Sequence, residues 1–346
     1  MPLKIRREYI QAVAGAIALV AFSLAFGHTP DERGAIGRKG QVRLAYFPNL
    51  THAPALIAVS KGILGKHLDG YGLKTMVVNA GPDAMEAMLA GDLDMAYVGP
   101  SPALNTFVKT HGTALRIVGG VCTGGASLVA RDGVEIKSVA DLSGHRIAVP
   151  ELGGTQDVSL RHFMALNHLI SKEMGGTVEV VPIKNPDILA LFKQGQLDAA
   201  WVPEPWASRL QVEANAKVVA DERSLWPNHR FTTAVIVASQ KFMAAHPDAV
   251  QDVLAANREA IREIQSDPAG AQTDANAEIK RLTGKPLKAQ VLATAWKSLS
   301  FSPDLDVDNI AVFAAAAADA GYLKTSGSSI KDICQVAPQN TAEASR

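Results

Sequence analysis

The sequence predicts an α/β fold built as two similar lobes, and three observations predict it. A segment is written twice: Pro82-Asp83…Gly91-Asp92-Leu93-Asp94-Met95-Ala96-Tyr97-Val98 returns as Pro186-Asp187…Gly195-Gln196-Leu197-Asp198-Ala199-Ala200-Trp201-Val202, every matched position 104 residues later (Asp83 and Asp187, Gly91 and Gly195, Asp94 and Asp198). Each copy reads as a helix opened by Pro-Asp, stopped by Gly, and followed after an Asp by a short apolar strand. Runs of strand length alternate with helical periods on both sides of the repeat, the pattern of a mostly parallel sheet covered by helices. The chain has 346 residues, 47% of them hydrophobic, which is enough to fill two cores. In open α/β sheets ligands lie beyond the carboxyl ends of strands, where helix amino ends aim N–H groups, so two such ends face to face make a cleft.

Strands are expected over 42–47, 73–79, 95–98 and 115–121, with helices over 53–64, 83–89 and 103–109 between them. Gly119-Gly120 and Thr123-Gly124-Gly125 then break the rhythm, and 127–131 reads as an extended segment crossing into a second set of units. That set has a short helix over 139–142 behind Ser138, strands over 146–149, 178–181, 199–202 and 217–220, and helices over 156–169, 188–192 and from Trp206 onward. A β-rich run over 232–238 returns the chain to the first lobe. The stretch 240–323 is Ala-rich with a helical period, cut by Pro247, Pro268, Pro286 and Pro303. Two crossings, near 127–131 and near 228–235, form a hinge of two crossing strands. They divide the chain into a discontinuous lobe 1 (41–127 with 232–323) and a lobe 2 (128–231), followed by a polar tail over 324–346. No Gly/Ser-rich or Pro-rich linker marks a simple tandem arrangement.

Lysine plus arginine balance aspartate plus glutamate at 34 each, so there is no basic field to attract nucleic acid. At the start, Lys4, Arg6 and Arg7 precede an uncharged run over 9–26 that ends in small residues, so 1–27 is expected to be a secretory signal. Retention as a membrane anchor is the alternative, because the run is near the shortest that spans a bilayer. No cysteine follows it to carry a lipid. Cys122 and Cys334 are the two cysteines; an oxidising compartment leaves both a disulfide and a pair of free thiols open.

The candidate ligand surface is the set of loops running from strand ends into helices. From the first set come Asn49, Thr51 and His52, then Gly99 and Ser101, then Thr123, Gly124 and Gly125; from the second come Thr155, Gln156 and Asp157, then Glu204 and Trp206. Each has a bland alternative: Ser101, Thr155 and Asp157 serve equally well as helix caps, Asn49 as a turn former, Trp206 as core and Glu204 as a solvated contact between lobes. Their joint location is what carries weight. Catalysis finds no support, since the chain has no Gly-x-Ser-x-Gly elbow, no clustered metal ligands, no phosphate loop and no dinucleotide fingerprint. No cofactor, no metal and no enzymatic activity are expected.

Three segments carry a family resemblance: Tyr46-Phe47-Pro48-Asn49-Leu50-Thr51-His52-Ala53-Pro54, Ala90 to Ala103, and Lys193 to Trp206 with its Gly-Gln-Leu-Asp-Ala…Glu-Pro-Trp core. Over about 42–250 the chain resembles the periplasmic solute-binding proteins of ABC importers for aliphatic sulfonates, taurine, nitrate and related solutes. The resemblance implies a type II periplasmic binding protein fold whose pocket is formed by the loop residues named above. It further implies a monomer in the periplasm that captures a small organic solute, an aliphatic sulfonate or taurine-like compound, and delivers it to an ABC permease and ATPase complex in the inner membrane. The matched loops contain no arginine, so an anion would be held by amides and hydroxyls at helix amino ends. Other readings remain open at this point: a nitrate or bicarbonate type of anion, a neutral heterocycle such as a thiamin-pyrimidine precursor, or an exported ligand sensor.

Overall fold

A computed structural model describes residues 39–323 and 330–335; the expected signal and most of the expected tail lie outside the described residues. The first stretch of chain forms β1 (Gly40–Tyr46), α1 (Ala53–Ser60), α2 (Ile63–His67), β2 (Tyr71–Val77), α3 (Gly81–Ala90), β3 (Met95–Val98), α4 (Pro100–Lys109) and β4 (Leu115–Gly124). The second forms β5 (Ala126–Ala130), β6 (Arg146–Val149), α5 (Thr155–Leu166), β7 (Glu179–Pro182), α6 (Asn185–Lys193), β8 (Ala199–Pro203), α7 (Trp206–Ala214) and β9 (Lys217–Asp221). The chain then continues as β10 (Thr232–Ser239), α8 (Gln240–Ala245), α9 (Pro247–Ser266), α10 (Pro268–Thr283), α11 (Ala289–Trp296), β11 (Leu299–Phe301) and α12 (Val307–Asp319).

Two sheets result, in the orders β11-β4-β10-β3-β1-β2 and β7-β6-β8-β5-β9. The repeat supplies the equivalent parallel pair of each: Leu44 pairs with Met95 and Ile147 with Ala199. β3 and β8 are buried along their whole lengths, as strands covered on both faces must be, and this explains their unbroken apolar sequence. The predicted helix over 53–64 is two helices, because the chain turns at Gly62 (φ 68°) between α1 and α2. The helix expected over 139–142 is a single 3-10 turn, with the Asp141 carboxylate accepting from Ser138 N (2.9 Å) and Ser138 Oγ (3.1 Å).

The hinge differs in detail from the crossing strands expected near 127–131 and 228–235. β5 lies wholly in the second sheet and β10 wholly in the first. The crossings themselves are Gly124-Gly125, both left-handed (φ 73° and 71°), and two 3-10 turns, Glu222–Leu225 and Pro227–His229. Only glycine takes two successive left-handed conformations without strain, so β4 can end one sheet and β5 begin the other within a single residue. At the second crossing Trp226 is stacked between His162 (centroids 5.3 Å apart, 12°) and Phe231 (5.2 Å, 19°), with Phe313 of α12 at 5.7 Å. One hydrophobic cluster therefore runs from Leu104 and Phe107 through Trp226 and Phe231 to Phe163 and Trp201, joining the lobes. A second fills lobe 1 between its sheet and α1, α9 and α10, and a third lies under α6 and α7.

Within the segment expected to be a polar tail, Ile333 is fully buried and Cys334 pairs with Ile117 of β4. Cys122 lies five residues further along that strand, about 16 Å at the usual strand rise, beyond the reach of a disulfide; both cysteines are free.

Candidate functional site

The five predicted loops converge where the lobes meet. Asn49 and Thr51 stand in the connection from β1 to α1. The Asn49 side chain accepts a hydrogen bond from the Trp206 indole Nε1 at 3.0 Å, and the next backbone N–H, that of Leu50, donates to the Glu204 carbonyl at 3.2 Å. The buried Thr51 turns its methyl group toward Gly125, whose own carbonyl accepts from Glu204 N at 2.8 Å. Loops that are 74 to 157 residues apart in sequence thus share one small volume.

A second line of contacts joins two helix amino ends. Gly99 is the extended residue before α4 and Gly154 the extended residue before α5. Ser101 N donates to Thr155 Oγ1 (3.4 Å), and Ser101 Oγ donates to the Gly153 carbonyl (2.8 Å). Thr155 Oγ1 approaches Gly99 so closely that a β-carbon there would stand 2.3 Å from it. Each helix begins with main-chain N–H groups that the helix itself cannot satisfy, and the partial positive charges of both termini point into the junction.

His52 is buried and stacked on Phe47 (4.6 Å, 21°), and its Nδ1 accepts the Phe47 N–H at 3.2 Å. Burial pushes its pKa down to about 3. The imidazole is therefore neutral, with the proton on Nε2, and offers a donor rather than a charge. Glu204 is buried too; its carboxyl accepts from Ser208 N and Ser208 Oγ, both at 3.0 Å, and burial raises its pKa to about 7. Its side chain thus holds the first turn of α7, while its main chain, before the cis Pro205, reaches the other lobe.

Some predicted residues are occupied elsewhere. Asp157, fully buried, accepts from Gly153 N (2.8 Å), Arg161 Nε (2.9 Å) and the Tyr322 hydroxyl (2.5 Å), so its charge is spent on fastening the Gly153-Gly154 loop and α12's end to α5. Thr123 is held in the first sheet, opposite Thr232 and Ser300. Gly124 makes the turn described above and accepts from the Thr233 hydroxyl. Gln156 is buried at the second position of α5.

Several residues of the junction escaped the sequence reading. Thr233, the second residue of β10, donates its hydroxyl to the Gly124 carbonyl, and Glu151 reaches across to Gly81 N at 3.0 Å. Arg223 packs against Gly124 and is paired to Asp221 at 2.6 Å, so a guanidinium does lie near the junction although none occurs in the matched loops. A Glu before Gly-Gly was visible as a loop residue; its partner 70 residues away was not. The junction can therefore offer hydroxyls, an amide, an indole, a neutral imidazole and two helix amino ends. Among the described residues no group of three or more His, Cys, Asp or Glu is placed to hold a metal ion, and no helix is long and apolar enough to cross a membrane.

Comparison with known proteins places this architecture. The alkanesulfonate-binding protein of Xanthomonas axonopodis pv. citri, solved with MOPS bound, superposes with a TM-score of 0.68 at 22% identity, covering 83% of this chain and 96% of that one. The two-lobed α/β fold is common to both. The taurine-binding periplasmic protein of Escherichia coli is 27% identical over 198 residues, 57% of this chain and 59% of that protein. A Brucella abortus protein named as a binding protein is 30% identical over 244 residues, 70% of this chain and 72% of that one. The profile of the NMT1-like family matches residues 37–279, which takes in β1 to α9, most of α10, the whole hinge and all five loops, and the chain belongs to that family.

Proposed function

We propose that the protein is the periplasmic solute-binding component of an ABC importer: a non-enzymatic monomer that closes its two lobes on a small organic solute, an aliphatic sulfonate or taurine-like anion, and delivers it to a permease and ATPase in the inner membrane. The observation that carries this reading is the convergence of two helix amino ends and the Asn49–Trp206 pair on one junction between lobes joined by two short crossings. An anion there is stabilised by N–H groups and helix dipoles without a dedicated guanidinium. Relatives named for binding taurine and nitrate, and a structural neighbour solved with a sulfonate buffer, support the ligand class. Closing is favoured only by a solute that touches both lobes, since equal affinity for the open and closed arrangements shifts nothing.

The test is a thermal-unfolding screen of the chain from about residue 28 against taurine, methanesulfonate, nitrate, bicarbonate and a neutral pyrimidine. A true solute at one hundred times its Kd stabilises the fold by about 2.7 kcal/mol. Asn49→Ala and Trp206→Ala should each weaken that solute's binding about tenfold or more, about 1.4 kcal/mol, with unfolding otherwise little changed. A shift with the pyrimidine alone removes the sulfonate assignment, and silence with every solute removes the importer reading.

A further inference from the structure

Glu151 stands in the connection from β6 to α5, on lobe 2, yet its carboxyl serves lobe 1. Oε1 accepts the N–H of Gly81, the first residue of α3, at 3.0 Å. The residue preceding α3 is Ala80, which has no side chain able to cap the helix, so the acid of the opposite lobe does so instead. The fit is close on both sides. A β-carbon on Gly154, at the start of α5, would stand 2.5 Å from Glu151 Cγ; one on Gly81 would stand 2.3 Å from Pro102 Cγ and 3.4 Å from Glu151 Oε1. The carboxyl occupies a slot walled by one glycine from each lobe, a slot that exists only when the lobes meet.

We propose that Glu151 is a closure latch: solvated when the lobes are apart, its carboxyl takes a proton from solvent and seats in the slot when they meet, so that closing is coupled to proton uptake. The seated neutral acid still accepts from Gly81 N through its carbonyl oxygen. The charges that face it are Asp83 on α3 and Asp157 on α5, both of the same sign as a glutamate; Arg161 is committed to Asp157 at 2.9 Å and Tyr322 donates to that same aspartate. Burial, added to by those two aspartates and opposed by the Gly81 N–H, pushes the Glu151 pKa up to about 7. A group whose pKa is higher in the closed arrangement than in the open one binds its proton on closing, so the closed arrangement gains as pH falls.

The inference rests on the reading that the lobes open and close, and the test separates the two. Spin labels are placed at Leu89→Cys on α3 and Met174→Cys on lobe 2, both exposed, in a Cys334→Ser background, and distances between them are measured without solute. The closed-to-open ratio is expected to rise more than about tenfold between pH 8 and pH 5. Glu151→Gln, which keeps the acceptor and cannot titrate, is expected to show the same ratio at both. A ratio indifferent to pH in the unsubstituted chain, or a pH response that survives Glu151→Gln, overturns the latch. Closing driven by taurine at a fixed pH is read in the same labelled protein and reports on the clamp itself.

Discussion

The parallel strand pairs of the two lobes are fastened alike at one end and finished differently at the other. In lobe 1 the Asp94 carboxylate accepts the Arg43 backbone N–H (2.8 Å) and the Arg43 guanidinium (2.9 and 2.5 Å), while Asp94 N donates back to the Arg43 carbonyl (3.0 Å). In lobe 2 the Asp198 carboxylate accepts Arg146 N (2.9 Å) and Asp198 N donates to the Arg146 carbonyl (3.0 Å). The guanidiniums part company: Arg146 pairs with Glu179 at 3.0 Å, and Asp198 is left to Arg131 and His145, each at 3.5 Å. At the cleft end, Tyr97 and Trp201 hold equivalent buried positions. The tyrosine reaches the Asn257 side chain of α9 (3.3 Å), whereas the indole donates to Glu222 in the second crossing (2.8 Å). Duplicated sequence reproduces the local staple; what each lobe packs against decides whether its buried partner is an amide or an acid.

The sharpest way to break this comparison is at its cleft end. Trp201→Phe takes the indole donor from Glu222 Oε2, leaving only the Ser159 hydroxyl on the other oxygen in a site closed to water, and opens a void; it should cost about 3–4 kcal/mol in urea unfolding. Tyr97→Phe removes a longer bond to a neutral amide and should cost about 1 kcal/mol. Equal losses would show that the two positions are energetically alike.

The next effect is one of pH. Burial raises the Glu222 pKa from 4.5 to about 7 against the opposing hydrogen bond from Ser159 Oγ. The folded chain therefore holds a proton that the unfolded chain releases between about 4.5 and 7, so this contribution is complete below that window and lost as pH rises through it, about 3 kcal/mol in all. Glu151 and Glu204 bend the curve the same way. Stability measured from pH 4.5 to 8 should fall, and Glu222→Gln should remove Glu222's share of the slope; an unchanged slope would place the proton elsewhere. Lobe 1 has no such acid at its matching position, since Tyr97 is joined to Asn257.

The smallest difference is at the staples. Asp94→Ala takes a nearly buried carboxylate away from three Arg43 donors and should cost about 2 kcal/mol, while Asp198→Ala, in a more exposed setting, should cost about 1 kcal/mol. A reversed order in thermal unfolding would mean that the Arg131–His145 contacts outweigh the bidentate Arg43 pair.

Much of the scaffold was legible. Pro82-Asp83 and Pro186-Asp187 open helices, Gly91 and Gly195 end them, and the apolar runs after Asp94 and Asp198 are strands, because capping, left-handed turns and burial period act within a few residues. The five loops were identified from the same local signals. The break at Gly62 and the place of the crossing were less so, since Gly124-Gly125 reads equally well as a turn or a loop until β11 and β10 are known to flank it.

The sequence by itself determined the strand–helix alternation, the duplication and the loops that bear polar groups, because each rests on contacts between near neighbours. Only the tertiary structure decided what those groups do: that Asp157 is spent on Arg161 and Tyr322, that His52 is held neutral by burial, that Trp206 meets Asn49, and that Glu151 caps a helix of the other lobe. The physical reason is that a side chain's charge, proton and partner depend on the solvent it loses and the atoms it meets. Apart from Arg161, one helical turn from Asp157, the partners named come from segments 70 to 165 residues away.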